Sequence, residues 1–137
     1  MSRNGPDDAT RRGTSQVEAI EGLLAYARTR SRWGGGALRN ASQAVAMSRT
    51  LVGESAGKHT DLLARALRTT AGILLERGKA TEALPMAQEA VALTRAIGGG
   101  PLVVSLHCLA GAFEALHRYS EAAEMLAEAD QIPPADC

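Results

Sequence analysis

A stretch of fourteen residues occurs twice in this chain, 46 residues apart. Residues 36–49 are GALRNASQAVAMSR and residues 82–95 are EALPMAQEAVALTR, with seven identical positions, four of which are alanine. A shorter copy, EAAEMLAEA, follows at residues 121–129. The alanines recur three or four residues apart, which is the spacing of one face of an α-helix. A chain with such a repeat is expected to fold as a stack of similar units.

Each copy follows another helical segment, so the repeating unit is a pair of helices. Six helices and no strand are predicted, at about residues 15–31, 37–52, 60–77, 81–97, 101–117 and 121–132. Ser15 and Glu18 form a capping box at the start of the first helix, and Gly78 is placed to end the third. The chain has four aromatic residues against 26 alanines and 16 leucines, which favours closely packed helices over a β-sandwich.

One domain is expected, over residues 15–134. Residues 1–14 are polar, aperiodic and contain glycine and proline, so they are expected to be disordered. Residues 135–137 are expected to form a short tail, because Pro133 and Pro134 end the last helix.

The two C-terminal helix pairs resemble the tetratricopeptide repeat (TPR). The residues that carry the resemblance are Leu67-x2-Thr70-Ala71-x2-Leu74-x3-Gly78-x4-Ala83-x3-Ala87-x2-Ala90 and Leu106-x2-Leu109-Ala110-x2-Phe113-x5-Tyr119-x2-Ala122-x3-Leu126-x2-Ala129-x4-Pro134. In the first pair Leu24-Ala25 fits the pattern, whereas Arg28 replaces the family's aromatic residue. The spacing exceeds the usual ~34 residues and resembles the long-loop subclass of bacterial regulators and kinesin light chains. The resemblance covers residues 16–134 and implies an all-α solenoid of three helix hairpins.

The resemblance also implies a protein-interaction module in which the first helix of each hairpin lines a concave groove. On that mapping the groove residues are Tyr26, Arg30, Arg65, Arg68, Leu75, Glu76, His107 and Glu114. Two guanidinium groups three residues apart, on Arg65 and Arg68, could clamp a carboxylate or a phosphate. Alternatively, both are solvated or pair with Glu76 and Asp61. The family's clamp for C-terminal carboxylates uses Lys and Asn at positions that are here Gly22, Tyr26, Thr69, Val104 and Cys108. A co-chaperone role is therefore not expected.

Other classes of function find little support in the sequence. The formal net charge is zero, so no attraction to nucleic acid or to an anionic membrane is expected. No apolar run approaches the ~20 residues of a transmembrane helix, and no apolar leader follows Met1, so a cytoplasmic protein is expected. The sequence contains no phosphate-binding loop and no metal-ligand spacing among its three histidines and two cysteines. Neither an enzyme, nor a cofactor, nor a metal is expected.

The neutral total conceals a gradient of charge along the chain. Residues 1–49 carry eight arginines and four acids, a net charge of +4, whereas residues 101–137 carry one arginine and six acids, a net charge of −5. Because Pro133 and Pro134 end the sixth helix, the outer face of the last hairpin is expected to be uncovered. Opposite charges and uncovered apolar ends predict self-association, and a homodimer is expected.

The expected function is that of an adaptor or regulatory subunit that holds a peptide or a helix of a partner protein in its groove. Two alternatives stay open. One is a ligand-sensing regulator whose stack changes curvature. The other is a carrier protein that is modified at Cys137, the last residue.

Overall fold

The computed structural model describes residues 6–30, 36–55 and 57–134, with side chains from residue 13 onward. Within these ranges it contains six helices and no strand, which confirms the all-α prediction. The helices are α1 (Pro6–Arg30), α2 (Gly36–Glu54), α3 (Thr60–Glu76), α4 (Ala80–Thr94), α5 (Gly99–Ala115) and α6 (Tyr119–Asp130). None of the described helices is long and apolar enough to cross a membrane.

The helices form three hairpins that stack as a solenoid. Hairpin 1 is α1–α2, hairpin 2 is α3–α4 and hairpin 3 is α5–α6. Each helix packs against the next one in the chain, and the first helices also contact each other, α1 with α3 and α3 with α5. The second helices, α2, α4 and α6, do not approach one another in this way. The stack is therefore tighter on the side of the first helices, as in a solenoid that is concave there.

The turn of hairpin 2 is reproduced 39 residues later in hairpin 3. The Lys79 N–H donates to the Leu74 carbonyl at 2.8 Å, and the Arg118 N–H donates to the Phe113 carbonyl at 2.8 Å. Gly78 ends α3 with a φ of 74°, as predicted, in a left-handed conformation that glycine adopts easily. His117 takes the same role in hairpin 3 with a φ of 61°. The sequence repeat is therefore also a repeat of backbone geometry.

Small residues bring the helices close together. The alanines of the helix–helix contacts are at most 3% exposed: Ala83, Ala87, Ala90, Ala110 and Ala122. The apolar side chains form clusters that neighbouring hairpins share, and Met86 packs against two of them. The molecule thus has a core that runs along the stack rather than one central core.

The second helices, whose backbones do not come close to one another, are joined by two equivalent ion pairs. Arg49 donates to both carboxylate oxygens of Glu89, at 2.5 and 2.8 Å. Arg95 pairs in the same bidentate way with Glu128. Arg49 and Arg95 are 46 residues apart, and Glu89 and Glu128 are 39 apart, which are the two repeat offsets. We call these pairs the arginine–glutamate ladder.

The structure corrects the predicted start of the first helix. Helix α1 begins at Pro6, nine residues before Ser15, so residues 6–14 are helical rather than disordered and Ser15 with Glu18 is no capping box. Proline is favoured at the first position of a helix, because its missing N–H would have no partner there. The predicted ends at residues 1–5 and 135–137 lie outside the described residues.

The alignment of α1 with the other first helices is also corrected. Ile20, Leu24 and Ala27 are buried, as are Leu67, Ala71 and Leu74 of α3, which gives an offset of 47 rather than 46. Ala25, which the sequence pattern aligns with the buried Ala71, is exposed. The first hairpin therefore has one residue more between its two helices than the others. This shift decides which side chains of α1 face α3.

Candidate functional site

A cavity of about 320 Å³, open to solvent, lies between α1 and α3, the first helices of hairpins 1 and 2. It is lined by Arg28, Arg68, Thr69, Gly72, Ile73 and Glu76. We call it the α1–α3 cleft. Two guanidinium groups, one from each helix, border this small space.

The cleft exists because one apolar side chain of the repeat is missing. At the junction of α3 and α5, Leu75 packs over Gly111: a methyl group on Gly111 would lie 3.9 Å from Leu75 Cδ1. Gly72 is the equivalent of Gly111, 39 residues earlier, yet a methyl group there would meet nothing within 4 Å. Arg28 occupies the position of Leu75 in α1. Because its guanidinium group does not pack over Gly72, the space stays open.

Arg68 is the half-buried cation of the cleft. Its Nη1 donates to Ser105 Oγ of α5 at 2.9 Å, and Ser105 in turn donates to the Pro101 carbonyl at 2.9 Å. Burial lowers the pKa of the guanidinium, and the charge of Asp61 acts against that shift. Among the described residues no carboxylate lies within 4 Å of Arg68. A guanidinium has five N–H donors, so Arg68 has donors left for a ligand.

The structure turns Arg65 away from Arg68. Arg65 Nη1 lies 3.4 Å from Glu21 Oε2 of α1, an exposed pair worth at most about 1 kcal/mol. Arg68 reaches in the other direction, to α5. The two side chains therefore do not form a preorganised clamp, and neither pairs with Asp61 within the described part of the chain.

The remaining groove residues predicted from the sequence lie apart from the cleft, except Glu76, which lines it. Tyr26 is 47% exposed on another side of α1, with the Arg30 guanidinium carbon 5.9 Å from the centre of its ring. His107 and Glu114 are exposed on α5, at positions equivalent to Arg68 and Leu75. They belong to the side of α5 that faces away from hairpin 2.

Sequence reasoning missed four residues of the cleft: Arg28, Thr69, Gly72 and Ile73. The sequence carries a signal for Arg28, since an arginine replaces the aromatic residue of the pattern there. With the correct offset of 47, Arg28 aligns with Leu75 and is placed towards α3.

Of the two cysteines, the structure describes Cys108. Cys108 is partly buried against the core, and burial raises the pKa of its thiol while the nearby Arg68 partly offsets the shift. A thiol of raised pKa is a poor nucleophile at neutral pH. Cys137 lies outside the described residues. Within the described ranges no group of three His, Cys, Asp or Glu could hold a metal ion.

Comparisons with protein-family models, with curated proteins and with solved structures found no match for this chain.

Proposed function

We propose that this protein is a TPR-like adaptor or regulatory subunit that binds an acidic peptide segment of a partner protein on the side of its first helices. In this proposal an Asp or Glu side chain, or a C-terminal carboxylate, enters the α1–α3 cleft. The observation that carries the proposal is Arg68, a half-buried guanidinium whose hydrogen-bond partner in the fold is the neutral hydroxyl of Ser105.

The charge of the cleft favours a carboxylate. A cation that is partly removed from water gains most from an anion with which it forms charge-assisted hydrogen bonds. Arg28, on the opposite wall, forms no ion pair among the described residues and adds a second donor group. Glu76 lies in the same cleft and would repel a carboxylate, so we expect the ligand's carboxylate to lie nearer the two arginines.

The size of the cleft favours a single side chain. About 320 Å³ is at the lower end of the range of small-molecule pockets. This space suits one side chain of a longer peptide better than a free metabolite, so the ligand-sensing regulator is the second candidate. The carrier function would depend on Cys137, for which the described residues supply no support.

The proposal is tested by selecting binders to the full chain from a random peptide display library. We expect the selected peptides to be enriched in Asp or Glu. A selected peptide, labelled for fluorescence polarisation, should bind Arg28→Ala about tenfold more weakly, a loss of about 1.4 kcal/mol. Replacing the acidic residue of the peptide by its amide should cause a similar loss, because it removes the same interaction.

Arg39→Ala is the matched control, since Arg39 is an exposed arginine of α2 away from the cleft. Arg65→Ala is a second control on α3, because its side chain turns to Glu21. Peptides without acidic residues, or equal losses for Arg28→Ala and Arg39→Ala, would rule out the cleft as a carboxylate site.

A further inference from the structure

Helix α1 exposes a row of residues that is covered in the other two first helices. The row in α3 is Ala66, Thr70 and Ile73, and the row in α5 is Ser105, Leu109 and Ala112; all six are at most 5% exposed, because the preceding hairpin covers them. The equivalent row of α1 is Ala19, Leu23 and Tyr26. Here Ala19 is exposed, Leu23 is half-buried and Tyr26 is 47% exposed. We call this row, together with the exposed Arg30, the N-terminal face.

Inside the stack, a leucine of the preceding second helix packs against the cluster to which the last residue of this row belongs. Ile73 clusters with Leu38 of α2, and Ala112 belongs to the same cluster as Leu84 of α4. Leu38 and Leu84 are 46 residues apart and occupy the same position in their hairpins. The residue at that position in hairpin 3 is Ala123, which is exposed. Hairpin 3 therefore presents a shallower surface than the other hairpins do.

Two further positions of this surface are acidic in hairpin 3 and apolar in hairpin 2. Glu114 stands where α3 has Leu75, and Asp130 stands where α4 has the buried Val91. We call Glu114, Ala123 and Asp130 the C-terminal face.

The two faces complement each other in size and in charge. Inside one copy, Leu38 packs against the cluster of Ile73, and Leu84 packs against the cluster of Ala112. Contact between two copies would instead pair a small residue, Ala123, with a large one, Tyr26. Arg30 on the N-terminal face is opposite in charge to Glu114 and Asp130, and the net charges of residues 1–49 and 101–137 are +4 and −5.

We propose that the N-terminal face binds the C-terminal face of a second copy of this chain, so that the copies stack head to tail as the hairpins do. The first helices of both copies then run parallel. Arg30 and Glu114 both lie in the last turn of their helices, so this arrangement brings them to the same level.

The contact between copies is weaker than the contacts inside one copy. The arginine–glutamate ladder does not continue across it, because Gln43 stands at the position of Glu89 in hairpin 1 and Pro134 at the position of Arg95 in hairpin 3. The contact then depends on Tyr26, Leu23 and opposite surface charges, which salt screens. A head-to-tail contact that does not close gives an open series of oligomers, whereas the homodimer expected from the sequence is closed.

The test is a charge exchange, read by multi-angle light scattering of the full chain over a wide concentration range at low and high salt. At low salt we expect a mass that rises steadily above 14.3 kDa with concentration. Arg30→Glu makes both faces acidic, and Glu114→Arg places a second basic side chain opposite Arg30, so each variant alone should require at least about tenfold higher concentration to associate. In an equimolar mixture, contacts between the two variants pair opposite charges again at positions 30 and 114, so the mixture should associate at a lower concentration than either variant alone.

Arg39→Glu is the control for a change of net charge, because Arg39 lies on neither face. It should associate normally, and circular dichroism should give the same helix content for all variants. A constant mass of 14.3 kDa at every concentration would overturn the proposal, and so would a mixture that stays monomeric. A mass that stops at twice the monomer would overturn it in favour of a two-fold dimer. None of these results bears on peptide binding in the α1–α3 cleft, which Arg28→Ala tests separately.

Discussion

Ser48 and Thr94 occupy the same position in successive second helices, 46 residues apart, and both are fully buried. Thr94 Oγ1 donates to the Ala90 carbonyl at 2.8 Å. Ser48 Oγ finds no hydrogen-bond partner among the described residues. A buried hydroxyl group without a partner lowers stability, because it has lost its hydrogen bonds to water and gained none.

Ser48→Ala is therefore expected to raise the free energy of unfolding by about 1 kcal/mol. Thr94→Val keeps the volume of the side chain but removes a formed hydrogen bond, and should lower the free energy of unfolding by about 1 kcal/mol. Urea denaturation of both variants measures the two effects. Loss of stability in Ser48→Ala would mean that its hydroxyl group has a partner in solution.

At the scale of the elements, α2, α4 and α6 pack against the first helices but not against one another, and ion pairs connect them. The arginine–glutamate ladder spans a gap that the helices themselves leave open. Hydrogen bonds from Arg49 lower the pKa of Glu89, and hydrogen bonds from Arg95 lower the pKa of Glu128. Both pairs are exposed, so each contributes at most about 1 kcal/mol.

The lowered pKa values set the sign of a pH effect. A carboxylate with a lower pKa in the folded state stabilises the protein above its unfolded pKa, and this stabilisation is lost as the pH falls through the folded pKa. We expect unfolding experiments to show a loss of stability as the pH falls below 4.5, the ordinary carboxyl value. Glu89→Gln should lose less stability over that interval, because one pair is already absent. Identical pH profiles for the two proteins would show that the Arg49–Glu89 pair contributes nothing in solution.

At the scale of the whole molecule, the sequence repeat predicted the stack of helix hairpins but did not predict the α1–α3 cleft. Matching alanines fix the packing of the second helices, because a small residue is required wherever helices approach closely. Helix α1 has fewer such alanines, so the sequence pattern aligned it with α3 at an offset of 46 residues. The buried residues of the two helices align at an offset of 47. The cleft exists because Arg28 does not pack over Gly72. A sequence pattern predicts which residues are buried, but it does not predict that a contact between two helices is missing.

Helix α3 packs against α1, α2, α4 and α5, whereas α6 packs against α5 alone. In a stack held by contacts between neighbours, segments open in the order in which they lose partners, and they need not open together. Amide hydrogen exchange followed by mass spectrometry should find α6 exchanging first and α3 last. Equal protection of all the helices would show a single cooperative unit instead. With graded protection, α6 can unravel while Arg68, on the most protected helix, stays in place, so that the peptide binding we propose would not stop when α6 opens.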